Sequence, residues 1–194
     1  MSLDQTTLLE QTEKKVRELL ANDLPSSFVF HNYEHTEEVV QVCQELGELA
    51  GLDKAEMRNL LLAAWWHDTG YIKGADDHET KSCAYARQFM ELIGYSESDI
   101  QSVLSLIMST HRDYTPTTLS EKILHDANHA YLGRKRFERS GALLRLEIES
   151  NQHRAYSQEE WQKHLLNLQL STKFLTTWGQ QKYLSRKNRN TAQA

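Results

Sequence analysis

Apolar residues recur along this chain at steps of three and four positions, the spacing that places them on one face of an α-helix. Val39, Val42, Leu46 and Leu49 form one such stripe, and Gly51 ends it. Similar stripes predict helices over residues 4–21, 53–68, 78–94, 96–111 and 119–133, followed by two more built on 137–148 and 161–175. Almost no stretch alternates as a β-strand does, so the pattern predicts an all-α fold.

Polar residues mark where several of these helices begin and where regular structure ends. Asp53, Ser96 and Ser157 each precede an apolar stripe, at the position where a short polar side chain caps a helix N-terminus. Near the end of the chain, Trp178 and Tyr183 are expected to pack against the body of the protein. The polar stretch 186–194 is expected to fray.

Two histidines extend the stripe of the second helix towards its start. Counting back from Val39, a step of four reaches His35 and a step of eight reaches His31. Both imidazoles can therefore share the buried face, at the i, i+4 spacing that lets two histidines converge. A single histidine so placed is usually a hydrogen-bonded core residue instead.

The stretch LLLAAWWHDTG, residues 60–70, brings a histidine and an aspartate together at the end of an apolar run. His67 follows Ala63 by four positions and so lies on the inward stripe. Desolvating Asp68 there is costly, and a divalent cation would satisfy its carboxylate and the imidazole at once. The alternative is that the pair simply closes the helix before Gly70, with Asp68 in solvent.

Two later helices repeat the arrangement. His111 lies four positions after Ile107, and Asp126 lies three positions after Ile123. Because burying an unpaired carboxylate costs free energy, Asp126 predicts a metal or a cationic partner. Four helical segments thus each place a histidine or an aspartate on an apolar stripe, which favours one shared site over coincidence.

Composition excludes several other classes of protein. The 194 residues carry a formal charge of -5, which offers no global reason to bind nucleic acid or an anionic membrane. No uninterrupted apolar run approaches the roughly 20 residues of a membrane span. Cys43 and Cys83 do not form a Cys-x-x-Cys pair, and the polar N-terminus is unlike a signal peptide, so a cytoplasmic protein is expected. No Pro/Gly/Ser-rich linker divides the chain, and a single domain over 1–194 is predicted.

The order H…HD…D, in the contexts YEHTEEV, WWHDTGY and LHDANHAYLG, resembles the HD-domain superfamily of metal-dependent phosphohydrolases. The phrases FHNYEHTEEVV, AAWWHDTGYI, DDHETKSCAYAR and DANHAYLGRKRF are similar to a group of small bacterial predicted HD phosphohydrolases. The resemblance runs from about Phe28 to Asn188. It implies an HD-type helical bundle with the metal-site core at about 28–135 and C-terminal packing helices at about 136–190.

Carried over residue by residue, the resemblance implies that one divalent cation is held by His35, His67, Asp68 and Asp126. Some branches of the superfamily hold a second metal, and His78 and His111 stand in the corresponding regions. Relatives often read Asp-Ala-Asp where this chain has Asp126-Ala127-Asn128, a departure that weakens any role for the second acid. Imidazole and carboxylate ligands suit Mn, Fe, Co, Ni, Zn or Mg without choosing among them.

The resemblance implies hydrolysis of a phosphomonoester or phosphodiester, often a nucleotide. Such a cation would activate water and polarise a phosphoryl oxygen, with Asp68 also orienting or deprotonating that water. Lys73, in the polar loop 69–78, or Arg134 would hold the phosphate, and His31 is a candidate substrate contact; a solvated lysine and a packing histidine are the alternatives for Lys73 and His31. A di-iron oxygenase and a non-catalytic nucleotide sensor are the competing functions, and the oligomeric state stays open.

Overall fold

Helices make up the regular structure of this protein. The computed structural model describes the backbone of residues 5–193 and the side chains of 8–192, and this part contains no strand. The α-helices are α1 (Gln5–Asp23), α2 (Tyr33–Ala50), α3 (Lys54–Trp66), α4 (His78–Leu92), α5 (Glu97–Met108), α6 (Leu119–Asn128), α7 (Phe137–Gln152), α8 (Gln158–Ser171), α9 (Thr177–Gly179) and α10 (Ser185–Gln193). Two 3-10 turns, Thr69–Lys73 and Ala130–Gly133, follow α3 and α6, and a π-helical turn, Gln180–Leu184, precedes α10. The all-α prediction is confirmed.

Helix α3 lies at the centre of the bundle. All seven of its residues from Leu60 to Trp66 are buried, so this helix is enclosed on every side rather than on one face. It packs against α1, α2, α4, α5 and α6. The residues that follow α3 therefore emerge inside the bundle, where a polar side chain needs a partner.

The predicted helix starts match the structure, but the helices predicted over 96–111 and 119–133 end early, at Met108 and Asn128, so His111 lies beyond the end of α5. Asp53 and Ser157 each form a reciprocal capping box, and the side chain of Ser96 accepts a hydrogen bond from the amide of Asp99. Gly51 ends α2 with a φ of 69°, a conformation that glycine adopts without strain. These local signals fix the helix boundaries that position the site.

The predicted apolar stripes extend further than the packing does. Leu49 is 56% exposed and Leu92 is 82% exposed, although both continue the periodic pattern of their helices. Each lies near a helix C-terminus. Among the described helices, none combines the length and hydropathy needed to cross a bilayer.

The expectation that residues 186–194 fray is wrong for the described part of this stretch. Residues 185–193 form α10, in which Lys187 and Asn190 are buried. The amide of Asn190 donates to the carbonyls of Leu132 (2.8 Å) and Arg134 (3.1 Å), and Lys187 donates to the carbonyl of Gln169. Polar side chains thus anchor the helix by satisfying carbonyl groups at the ends of other elements. Tyr183 is buried, as predicted.

Candidate metal centre

His67 caps the C-terminus of α3 and turns its ring into the bundle. Its Nδ1 donates to the carbonyl of Ala64 at 2.8 Å, which leaves Nε2 with a lone pair. That Nε2 lies 3.0 Å from Oδ2 of Asp68. Neither atom has a hydrogen-bond partner of normal geometry among the described residues, and both are buried. Both atoms therefore have lone pairs in the core that are free to bind a metal ion.

His35 reaches the same point from the start of α2. The side chain of Asn32 caps this helix by accepting from the amide of His35 at 3.1 Å, which fixes where the first turn begins. His35 Nε2 then lies 3.4 Å from Asp68 Oδ2. His35, His67 and Asp68 each offer one donor atom, and these atoms lie within 4.8 Å of one another.

The electrostatics of this cluster suit a cation. Burial opposes ionisation of Asp68, but three neighbouring imidazoles outweigh it and hold the pKa of its carboxyl well below the ordinary value. For His35, burial dominates and lowers the pKa, although Asp68 acts against it. An ionised carboxylate and a neutral imidazole are the forms that ligate metals.

The residues present fit a divalent cation. The atoms His67 Nε2 and Asp68 Oδ2 are buried without hydrogen-bond partners within residues 5–193, and such groups cost free energy unless something satisfies them. Two imidazole nitrogens and a carboxylate oxygen are common donors to divalent transition metals. The three residues could therefore hold one cation, whose identity the donor types do not choose.

The structure does not bring Asp126 into this group, in contrast to the expected ligand set. The Asp126 side chain is fully buried, and its Oδ1 accepts from the amide of Leu175 at 2.6 Å. Its Oδ2 accepts from the amide and the hydroxyl of Thr176, at 2.8 and 2.7 Å. Burial raises the pKa of Asp126, although these hydrogen bonds act against it. The sequence predicted a metal or a cationic partner for this carboxylate. The structure instead provides hydrogen-bond donors from Leu175 and Thr176, just before α9.

A cavity of about 490 Å³ opens beside Asp68. His78 lines it, with Nε2 3.6 Å from Asp68 Oδ1, and this contact raises the pKa of His78 against the lowering effect of burial. His111 also lines the cavity, and its Nδ1 accepts from the amide of Asp113 at 3.3 Å. Both histidines thus face the same space as Asp68, but neither belongs to the three-residue donor group, and a second metal stays a prediction.

His31 is held on the cavity wall by a glutamate from the C-terminal half. Glu147 Oε2 accepts from the amides of Phe30 (2.8 Å) and His31 (2.9 Å), and Oε1 contacts Nδ1 of His31. The His31 ring stacks on Tyr71 at 4.3 Å between centroids, and Tyr71 in turn stacks on His78 at 4.2 Å. These contacts connect Glu147 through His31 and Tyr71 to His78, which lies beside Asp68.

Lys73 and Arg134, the two basic residues predicted to hold the phosphate, do not line the cavity beside Asp68. Lys73 is exposed. Arg134 forms an ion pair with Glu38 at 3.1 Å and lines a smaller cavity next to His35. A different cation, Arg112, does line the cavity beside Asp68. The phosphate contacts of Lys73 and Arg134 therefore stay predictions, and of the two only Arg134 lies beside one of the three converging donors.

Three residues near the centre were not predicted from the sequence to take part in the site. Asn128 is the last residue of α6, and its Oδ1 lies 3.1 Å from His35 Nε2. The neighbouring His129 lines the cavity, and burial lowers its pKa to about 4. Asn128 carried a detectable signal, because it stands where similar sequences often have the second acid of Asp-Ala-Asp. Glu147 carried a weaker one, as an acid three positions after Leu144 on an apolar stripe.

The fold and the three converging donors define an all-helical protein with a buried metal-type centre. A family model described as "HD domain" matches residues 32–131, just over half of the chain. The chain therefore belongs to the HD domain family, which contains metal-dependent hydrolases.

Solved structures show the same fold. YpgQ of Bacillus subtilis, solved in complex with ADP, is 17% identical, with a TM-score of 0.69 covering 95% of this chain and 89% of YpgQ. An HD-superfamily hydrolase from Bacillus thuringiensis is 18% identical, with a TM-score of 0.67 covering 98% of this chain and 94% of the hydrolase. No curated protein sequence matches the chain significantly. The recognition of an HD-type fold from its motifs is confirmed.

Proposed function

We propose that this protein is a metal-dependent phosphohydrolase acting on a nucleotide or a related small phosphate ester. The observation that carries the proposal is the convergence of His35, His67 and Asp68 at a cavity, with buried donor atoms that lack hydrogen-bond partners among the described residues. Membership of the HD domain family supports hydrolysis. The ADP bound to YpgQ supports a nucleotide ligand. A cytoplasmic location stays a prediction from the sequence.

In this proposal, Asp68 is the catalytic residue. A divalent cation, when bound, lowers the pKa of water and neutralises negative charge developing on a phosphoryl oxygen. Asp68 Oδ2 faces the two imidazoles that would hold the cation with it, whereas Oδ1 faces His78 at the cavity side. This leaves Oδ1 placed to accept a hydrogen bond from the attacking water and to orient it.

The cavity itself offers little positive charge to a phosphate. Asp76, Asp77 and Glu79 line it together with Arg112, so its acidic groups outnumber this arginine. An anionic substrate would meet net repulsion from these side chains without a cation. The cation would therefore be needed for substrate binding as well as for chemistry.

Product release from a panel of nucleotides, cyclic nucleotides and simple phosphate esters, followed as phosphate, pyrophosphate or the phosphomonoester formed, tests this function. We expect release with added Mn²⁺ and none after chelation with EDTA. Binding of nucleotides without turnover would favour the sensor. Oxygen consumption by the iron-loaded protein, without phosphate release, would favour the di-iron oxygenase.

We also propose that Glu147 positions His31 for contact with the substrate. Replacing Glu147 by glutamine retains an acceptor oxygen but removes the charge that holds the His31 ring. We expect KM to rise about tenfold on the best substrate of the panel, the loss of roughly one hydrogen bond to a charged group, while Mn²⁺ affinity stays unchanged. The measurement is steady-state kinetics together with Mn²⁺ titration.

The matched control is Glu138→Gln, which changes an exposed glutamate on the same helix. An unchanged KM in Glu147→Gln would show that this glutamate only packs α7 against the segment before α2. A role for Glu147 would also support treating the C-terminal helices as part of one functional domain rather than as packing alone.

A further inference from the structure

We infer that the fourth oxygen donor of the metal centre is the side-chain amide of Asn128, and that Asp126 is not a ligand. This inference rests on the proposed metal site and assigns its remaining donor. It changes the charge of the site, because an amide oxygen replaces an expected carboxylate.

Asp126 is committed to another part of the fold. Its two oxygens accept three hydrogen bonds from Leu175 and Thr176. The backbone of Gly179 packs so closely that a Cβ added there would overlap Oδ2 and lie 2.9 Å from Cγ of Asp126. Turning this carboxylate towards a cation would leave two backbone amides without their acceptor, which is costly in a buried setting.

The side chain of Asn128, unlike that of Asp126, lies beside the imidazole of His35. Its Oδ1 is 3.1 Å from His35 Nε2, and the residue lines both the large cavity and a smaller one next to His35. Two donors each about 2.1 Å from one cation, and at right angles, are about 3 Å apart. The separation of Asn128 Oδ1 from His35 Nε2 fits that geometry, as does the 3.0 Å between His67 Nε2 and Asp68 Oδ2.

The consequence is a more positive centre. With His35, His67, Asp68 and Asn128 as donors, the ligands carry one formal negative charge, so a divalent cation keeps a net charge of about +1. A second carboxylate would have cancelled that charge. The retained charge weakens metal binding but attracts an anionic phosphate into a cavity whose own lining is acidic.

Mn²⁺ affinity of the full-length, metal-stripped protein tests the assignment without any substrate. Asn128→Asp is expected to bind Mn²⁺ at least about tenfold more tightly, and Asn128→Ala about tenfold more weakly, measured by calorimetry and by the EPR signal of free Mn²⁺. Asn128→Asp should also show a larger rise in melting temperature on adding Mn²⁺. Asn167→Asp, which adds the same charge at an exposed position of α8, should leave the affinity unchanged.

Asp126→Asn is expected to lower the melting temperature while leaving Mn²⁺ affinity within about threefold of the wild type, since its bonds serve the fold. Loss of Mn²⁺ binding in Asp126→Asn with helical circular dichroism retained, together with unchanged affinity in both Asn128 variants, would overturn the inference. If Asp126→Asn does not fold, the two Asn128 variants decide alone.

One further variant separates this inference from the proposed function. His67→Ala should abolish Mn²⁺ binding if the centre exists at all. Wild-type affinity in His67→Ala, or no binding by the wild type, would overturn the metal centre and the assignment of Asn128 with it. Loss of binding in His67→Ala with wild-type affinity in both Asn128 variants would overturn the assignment alone.

Discussion

Replacement of Asp68 by alanine is expected to lower the rate of phosphate-ester hydrolysis by about three orders of magnitude or more. The change removes the only acid among the three converging donors, and with it the oxygen placed to orient the attacking water. Mn²⁺ affinity should fall in parallel, because only uncharged proposed donors remain, the two imidazoles and the amide of Asn128. Initial rates on the best substrate of the panel, and Mn²⁺ titration of the same samples, provide the measurement.

Asp23→Ala serves as the control, since it removes an exposed aspartate at the end of α1. Circular dichroism of Asp68→Ala establishes that the helices remain. Retention of both Mn²⁺ and turnover in Asp68→Ala would refute the role assigned to this residue. Retention of Mn²⁺ with loss of turnover would leave Asp68 as the catalytic residue and place the main binding energy on the other donors.

Replacement of Gly70 by alanine is expected to destabilise the fold by about 3 kcal/mol. A Cβ at this position would overlap the carbonyl oxygen of His78 and lie 2.9 Å from the amide nitrogen of Ser82. Both are backbone atoms of α4, so no side-chain rotation can relieve the contact. The 3-10 turn after His67 and the start of α4 would have to separate. Urea denaturation monitored by circular dichroism measures the loss.

Gly141→Ala is the matched control, because a Cβ there would lie 3.4 Å from the side chain of Leu165, an ordinary contact distance. Gly141 sits within α7, where alanine is the better helix former, so we expect little change or a small gain in stability. An unfolding midpoint of Gly70→Ala equal to that of the wild type would contradict the close approach of α4 to the turn.

In this protein the sequence predicts which face of each helix is buried. It does not predict which of the buried side chains point towards the metal centre. Asp126 and Asn128 lie two positions apart on α6, which turns them about 200° away from each other. The apolar stripe correctly placed Asp126 in the interior. It could not show that this part of the interior is occupied by Leu175 and Thr176, since their approach depends on the whole C-terminal half.

Glu147 illustrates a second limit. It contacts His31 across 116 positions of sequence, and no local pattern joins the two. By contrast, the convergence of His35 with His67 and Asp68 was predictable, because each lies at a helix end on a clear apolar stripe. Local periodicity therefore predicted the convergence of these three side chains, whereas the wall of the cavity depends on tertiary contacts that periodicity does not encode.

The contact between Glu147 and His31 can form only late in the synthesis of the chain. A ribosome delivers His35, His67 and Asp68 within the first 68 residues, but Glu147 only after a further 79. Closing so long a loop costs entropy that the later helices must offset. A growing chain would thus possess His35, His67 and Asp68 first, would add Asn128 as the fourth proposed donor, and would immobilise His31 only after Glu147 has been made.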